Sequence, residues 1–165
     1  MNTKRSLVAS PILLLVASPV LAILAIVGPL SSGAKADNTD VAQAWMDAWN
    51  SHSPDKVAAL YTEDAVLEDV TLGAVSRGRT AIRGFAVSTF TALPDGHFDL
   101  VRSTVRDGHG TIEWVLRGTD TGIFGGTGKP FSVRGVSVID VHGTRLARDT
   151  VYWDLATVLR EIGLL

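Results

Sequence analysis

Between Asp37 and His52 apolar residues recur three and four apart, at Val41, Ala44, Trp45, Ala48 and Trp49, which is the spacing of one helix face. Asn38, Thr39 or Asp40 can cap the start, and Ser53-Pro54 breaks the end. "DKVAALY" predicts a second short helix with Val57, Leu60 and Tyr61 on one side. "AVLEDV" reads as a strand, Gly73 to Gly78 as a loop, and Thr80 to about Ala92 as a third helix carrying Ile82, Phe85, Ala86 and Phe90. The period then changes to two. "HFDLVRSTVRDG", "GTIEWVLRGTDTG" and "KPFSVRGVSVIDVHG" alternate and are rich in β-branched residues, with "DGHG", "GGTGK" and "HGT" as turns. "RLARDTVYWD" is a further strand, and a last helix runs from Asp154 to about Ile162. Helices first and a meander after them predict an α+β fold: a cone-shaped, curved antiparallel sheet with the N-terminal helices packed on its concave face.

The pattern before Asp37 is different. Lys4 and Arg5 precede a run from Ser6 to Ala34 that carries no charge, and Ala34-Lys35-Ala36 follows it. A basic start, an apolar middle and a small-residue site describe a secretory signal peptide, cut before Asp37. Residues 1–36 are therefore set apart, and 37–165 form the single domain. An uncleaved anchor is the rival, because the run approaches the roughly 20 residues of a bilayer span; Pro11, Pro19 and Pro29 favour cleavage. In both cases the domain is expected outside the cytoplasm, periplasmic or extracellular, with membrane contact only if the leader is kept.

Composition narrows the chemistry. The chain has no cysteine, so disulfides, thiol nucleophiles and thiolate metal sites are excluded. Fifteen basic residues less Lys4, Arg5 and Lys35 leave 12 against 17 acidic, a net charge of −5 for the mature chain. That balance argues against a nucleic-acid partner, which needs a basic surface. The four histidines show no metal-ligand spacing, so no metal and no cofactor is expected. "GIFGGTGKP" lacks the first glycine and the Ser/Thr of a phosphate loop and reads as a hairpin.

Period two on the last strand puts Ala147, Asp149, Val151 and Trp153 on one face. A carboxyl among such neighbours loses hydration of its charged form, which raises its pKa toward usefulness as an acid/base. The alternatives are a solvated charge or a buried ion pair with Arg134 or Arg117. On "AVLEDV", Glu68 and Asp69 face opposite sides; if Leu67 points inward, Asp69 does too. Trp45 and Trp49 read as core, whereas Trp114 and Trp153 are equally suited to stacking on a ligand.

The pieces "AWMDAWNSHSPDKVAALYTEDAVLED", "GRTAIRGF", "IEWVLRGTDTG", "TGKPFSVRGVSV" and "YWDLATVLREIGL", in this order, resemble the nuclear-transport-factor-2-like (cystatin-like) superfamily. Within it they are most similar to the SnoaL-like polyketide cyclase and ester cyclase group. The resemblance spans about residues 40–164. It implies a cone with its ligand on the inner face of the sheet. By position it maps Asp69 onto the general base of ketosteroid isomerases and Asp149 onto the catalytic acid/base of the cyclases. Asp120 stands where relatives commonly carry histidine in Gly-Thr-His-Thr-Gly. No counterpart to the isomerase oxyanion hole is visible, so steroid isomerisation is not implied.

The expectation is therefore cofactor-independent cyclisation, isomerisation or dehydration of a small apolar molecule. Asp149 and Asp69 are the catalytic candidates, and Leu67, Ile112, Trp114, Leu116, Val151 and Trp153 the substrate-binding ones. A non-catalytic ligand-binding domain is the alternative. A third reading is epoxide-type hydrolysis by Asp69, Asp149 and Arg134 or Arg117. Oligomeric state, including a homodimer, is left open. N-terminal sequencing of exported material should read Asp-Asn-Thr-Asp; membrane-bound protein with an intact N-terminus would establish the anchor instead.

Overall fold

The computed structural model describes residues 38–165, so the signal-peptide reading lies outside the described residues. Helices α1 (Asn38–Asn50) and α2 (Pro54–Ala59) come first, then strands β1 (Tyr61–Asp69) and β2 (Ala74–Arg77), then helix α3 (Arg79–Ala92). Strands β3 (His97–Arg106), β4 (His109–Thr119), β5 (Pro130–His142) and β6 (Arg145–Trp153) follow, and α4 (Leu155–Ile162) closes the order. Six strands form one curved open sheet in the order β2-β1-β6-β5-β4-β3. The mixed α+β class is as expected, with helices collected against the inner face. Among the described residues no helix is long and apolar enough to cross a membrane.

Three expectations need correction. The sheet is not wholly antiparallel: β1 runs parallel to β6, with Leu67 opposite Asp149 and Asp69 opposite Val151. The chain leaves β1 for α3 and the meander and returns on β1's other side, and such a crossover yields a parallel neighbour. Tyr61 opens β1 and does not close the second helix. The segment read as a loop contains the four-residue strand β2, paired antiparallel with β1 from Val66↔Arg77 to Asp69↔Ala74.

The inner face of β5 shows the expected alternation. Phe131, Val133, Gly135, Ser137, Ile139 and Val141 are buried, and Arg134 and Val138 between them are exposed. On β6 the alternation is broken once. Asp140 pairs with Arg148 but Val141 with Leu146, so Ala147 is an extra, bulged residue. Leu146, not Ala147, consequently shares the core face with Asp149, and it is buried.

Helix α1 lays Val41, Ala42, Trp45, Met46 and Trp49 into the main core. Helix α4 sets Val158 and Ile162 on Phe131 and Val133 in a second cluster. Asp154 caps α4 by accepting from Thr157 N at 3.2 Å, and Gly163 ends it in the left-handed conformation at φ 79°. Trp114 lies across the strand beside its own: its partner in the register is Gly135, and a Cβ there would overlap the indole ring. Glycine at 135 is thus what lets the ring lie against the sheet. Gly135→Ala should destabilise the fold by about 1–3 kcal/mol through overpacking and alter the near-ultraviolet circular dichroism of Trp114; urea unfolding at the wild-type midpoint would contradict this packing.

Candidate functional site

Between α1, α3, the inner face of the sheet and the loop that follows β4 lies a cavity of about 90 Å³. Its walls join the two hydrophobic clusters, with Trp45 and Trp49 from α1, Phe85 and Thr89 from α3, and Phe131 and Val133 from β5. Of the residues proposed from the sequence, Leu67, Asp69, Trp114, Leu116, Val151 and Trp153 line it. Ile112 and Asp149 do not; both are fully buried in the wall behind.

Among the described residues Asp69 is the one ionisable side chain on the cavity surface, and it is only 6% exposed. Register explains how it gets there: Asp69 sits level with Val151, two residues beyond the Leu67–Asp149 pair. Its Oδ1 accepts from Leu72 N at 2.9 Å and from Trp153 Nε1 at 3.2 Å, and its Oδ2 accepts from the same indole at 3.1 Å. No lysine, arginine or histidine nitrogen among the described residues comes within 4 Å of it. Glu68 faces the other way and accepts from Arg148 at 2.8 Å.

Asp149 lies one layer deeper. Its Oδ2 accepts from Trp45 Nε1 at 3.1 Å and from the Tyr61 phenol at 2.8 Å. Oδ1 has no hydrogen-bond partner. Burial pushes the carboxyl's pKa up, opposed by the Trp45, Tyr61 and Ser137 donors and reinforced slightly by Asp69. Burial, then the same carboxyl, also hold Tyr61 far above the usual phenol range. The Ser137 hydroxyl beside it accepts from Trp114 Nε1 at 3.4 Å. One buried acid thus anchors Trp45, and Trp45 stacks on Trp114 at 6.3 Å and meets Phe98 edge-on at 5.0 Å.

The buried ion pair weighed for Asp149 is absent. Arg134 pairs with Glu113 at 3.5 Å and Arg117 with Asp99, so neither approaches Asp149. The Asp–Arg–Asp set of the hydrolytic reading is therefore not assembled. Among the described residues no group of three or more His, Asp or Glu could hold a metal. Three of the histidines are engaged locally: His52 Nε2 lies 2.7 Å from Gly96 O, His109 Nδ1 2.7 Å from Asp140 and His97 Nε2 3.6 Å from Asp99.

Sequence reading passed over two contributors. Tyr61, placed on a helix, is the second donor to Asp149. Asp120 is fully buried and organises the loop between β4 and β5: it accepts from Phe124 N at 3.1 Å, Thr127 N at 2.9 Å and the Thr127 hydroxyl at 3.0 Å. The Thr127 N–H above all, helped by the other donors, lowers its pKa to about 2 despite its burial. The loop so held puts Ile123 and Phe124 on the cavity wall. An aspartate at the foot of a glycine-rich turn was the available signal.

The comparisons with known proteins agree with this geometry. Residues 42–149 match the model of the SnoaL-like domain. The chain belongs to the SnoaL-like domain family. A protein of ketosteroid isomerase-like fold from Catenulispora acidiphila, solved in complex with trimethylamine, is 27% identical with a TM-score of 0.69, over 74% of this chain and 92% of that one. IdmH from Streptomyces antibioticus, named as a polyketide cyclase, is 22% identical with a TM-score of 0.68, over 77% and 99%. AclR from Streptomyces galilaeus, named as a hydroxylase, is 14% identical with a TM-score of 0.67, over 79% and 87%. No curated protein matches the chain. The two lower identities establish the shared fold.

Substitutions at Asp149 separate its roles. Asn keeps an acceptor for Trp45 and Tyr61 and removes the charge, so Asp149→Asn should stay within about 1 kcal/mol of wild type at pH 7. Asp149→Ala strands two buried donors and should cost about 2–5 kcal/mol. Because the native pKa is raised, the unfolded chain releases its proton first as pH climbs past about 4, and wild-type stability falls from there toward the native pKa. The Asn variant lacks that decline, so its stability relative to wild type should improve between pH 4 and 7; urea titrations at both pH values check the sign.

Proposed function

We propose that the mature SnoaL-like domain works outside the cytoplasm and takes one small, largely apolar molecule into the cavity, where Asp69 exchanges a proton with it in cofactor-independent cyclisation, isomerisation or dehydration. The observation that carries this reading is the position of Asp69 as the single ionisable group on an otherwise apolar, aromatic wall. A carboxylate accepting from two N–H groups keeps lone pairs for a third partner, and an apolar surround is the setting in which a carboxyl is most useful as a base. Asp149 acts through Trp45 and is a positioning residue in this scheme. The roles foreseen from the sequence, with Asp149 principal and Asp69 second, are exchanged on that ground.

Size limits the ligand. A space of about 90 Å³ is larger than the roughly 30 Å³ share of one water and smaller than the roughly 150 Å³ engineered cavity that takes benzene. It suits a molecule of about five heavy atoms, and a polycyclic substrate would require wall residues such as Phe124 to move. The trimethylamine in the Catenulispora neighbour supports a ligand of this scale. Export is supported by the uncharged run from Ser6 to Ala34.

Non-catalytic binding is favoured by a different observation: both Asp69 oxygens already accept from Trp153 Nε1, and the other unpartnered side-chain donor among the described wall residues, the Trp49 indole N–H, can donate a hydrogen bond but is far too weak an acid to exchange a proton. Exchange of the α-protons of 2-butanone, followed by NMR in deuterated buffer, tests the proposal. Full-length protein should accelerate exchange, and Asp69→Asn should remove about 100-fold or more of that acceleration. Saturable binding of the ketone with no acceleration would leave the binding reading in place of the catalytic one.

A further inference from the structure

We propose that the cavity selects a small alkylammonium cation, with Asp69 as its counter-ion and the indole and phenyl rings as its walls. This rests on the cavity being the ligand site, but not on the ligand being turned over.

The charge on the wall is one-sided. Asp69 is nearly buried, its two donors are the neutral N–H groups of Leu72 and Trp153, and no cationic side chain among the described residues lies within 4 Å. Two neutral donors compensate a dehydrated carboxylate less completely than a positive charge does. Of the other polar groups on the wall, the Thr89 hydroxyl is satisfied within its own helix, donating to Phe85 O at 3.0 Å, and the Trp49 indole N–H, which has no partner, is a neutral donor and adds no positive charge. An anion would therefore be repelled. A neutral molecule would offset the dehydration of the carboxylate with at most a neutral hydrogen bond, less than a cation supplies.

The remaining walls determine which cation fits. Trp45, Trp49, Trp114, Trp153, Phe85 and Phe98 all face the cavity. Ring faces attract cations, more strongly when water is excluded. A metal ion or bare ammonium would have to shed a tight hydration shell against apolar walls, whereas an alkylated nitrogen spreads its charge over methyl groups that those walls can cover. The volume of about 90 Å³ sets the size at a nitrogen bearing three or four small alkyl groups.

Tetramethylammonium and tert-butanol have the same number of heavy atoms and differ in charge. Isothermal titration of the full chain with each, at pH 7 and fixed ionic strength, should show tetramethylammonium binding about tenfold or more tightly than tert-butanol. Asp69→Asn should lose about tenfold for the cation and change little for the alcohol. Equal or tighter binding of tert-butanol by the wild-type protein would overturn the cation assignment and leave the cavity as a neutral-ligand site. Binding of neither would overturn both this inference and the reading of the cavity as the ligand site. The wild-type comparison decides the matter even if the variant does not fold.

Discussion

A single buried carboxyl, that of Asp149, joins three separate parts of the chain. It receives the Trp45 indole from α1 and the Tyr61 phenol from the start of β1, and it belongs itself to β6. No cation among the described residues offsets it, so the protein tolerates it by holding its pKa up and by aiming buried donors at one oxygen. A donor left without this acceptor in the dry core would cost about 1–3 kcal/mol. The arrangement therefore specifies how α1 sits on the sheet more narrowly than hydrophobic contact alone, which tolerates sliding.

The cavity follows from that placement. With Trp45 pinned, its ring stacks on Trp114, and Trp114 has room only because residue 135 has no side chain. Trp153 is held from the other side by the carboxyl of Asp69. The Asp120 loop then brings Phe124 edge-on to Trp153 at 6.1 Å. Three aspartates thus secure wall residues by hydrogen bonds, and one of them, Asp69, also faces the space they enclose. The SnoaL-like scaffold supplies the sheet; these polar anchors give this member a narrow and strongly aromatic interior.

Much of this was legible in the sequence. Period-two alternation assigned β3 to β6 and placed Asp69, Val151 and Trp153 on the inner face, and period 3.6 assigned α1 and α3. What periodicity cannot supply is depth. Asp149 and Asp69 both point inward, but α1 covers the first and leaves the second beside the cavity, and that depends on where a helix distant in sequence comes to rest. Ile112 lies behind the wall for the same reason. The Ala147 bulge moved Leu146 into the core without a glycine or proline to announce it. Strand β2 was missed because four residues with alternate exposure on a sheet edge carry too little apolar signal. The parallel β1–β6 pair is a property of the whole topology, not of either strand.

The dependence of the wall on Asp149 can be observed at Trp45 itself. In a ¹⁵N-labelled sample the Trp45 indole N–H resonance, assigned by substitution, reports the ionisation of the carboxyl that it donates to. Followed from pH 3 to 9, it should titrate with a midpoint above the ordinary aspartate range of about 3.5–4, and Asp149→Asn should abolish the step. A midpoint at or below that range, or a titration that survives the substitution, would mean that Asp149 is solvated or unconnected to Trp45, and would contradict the account.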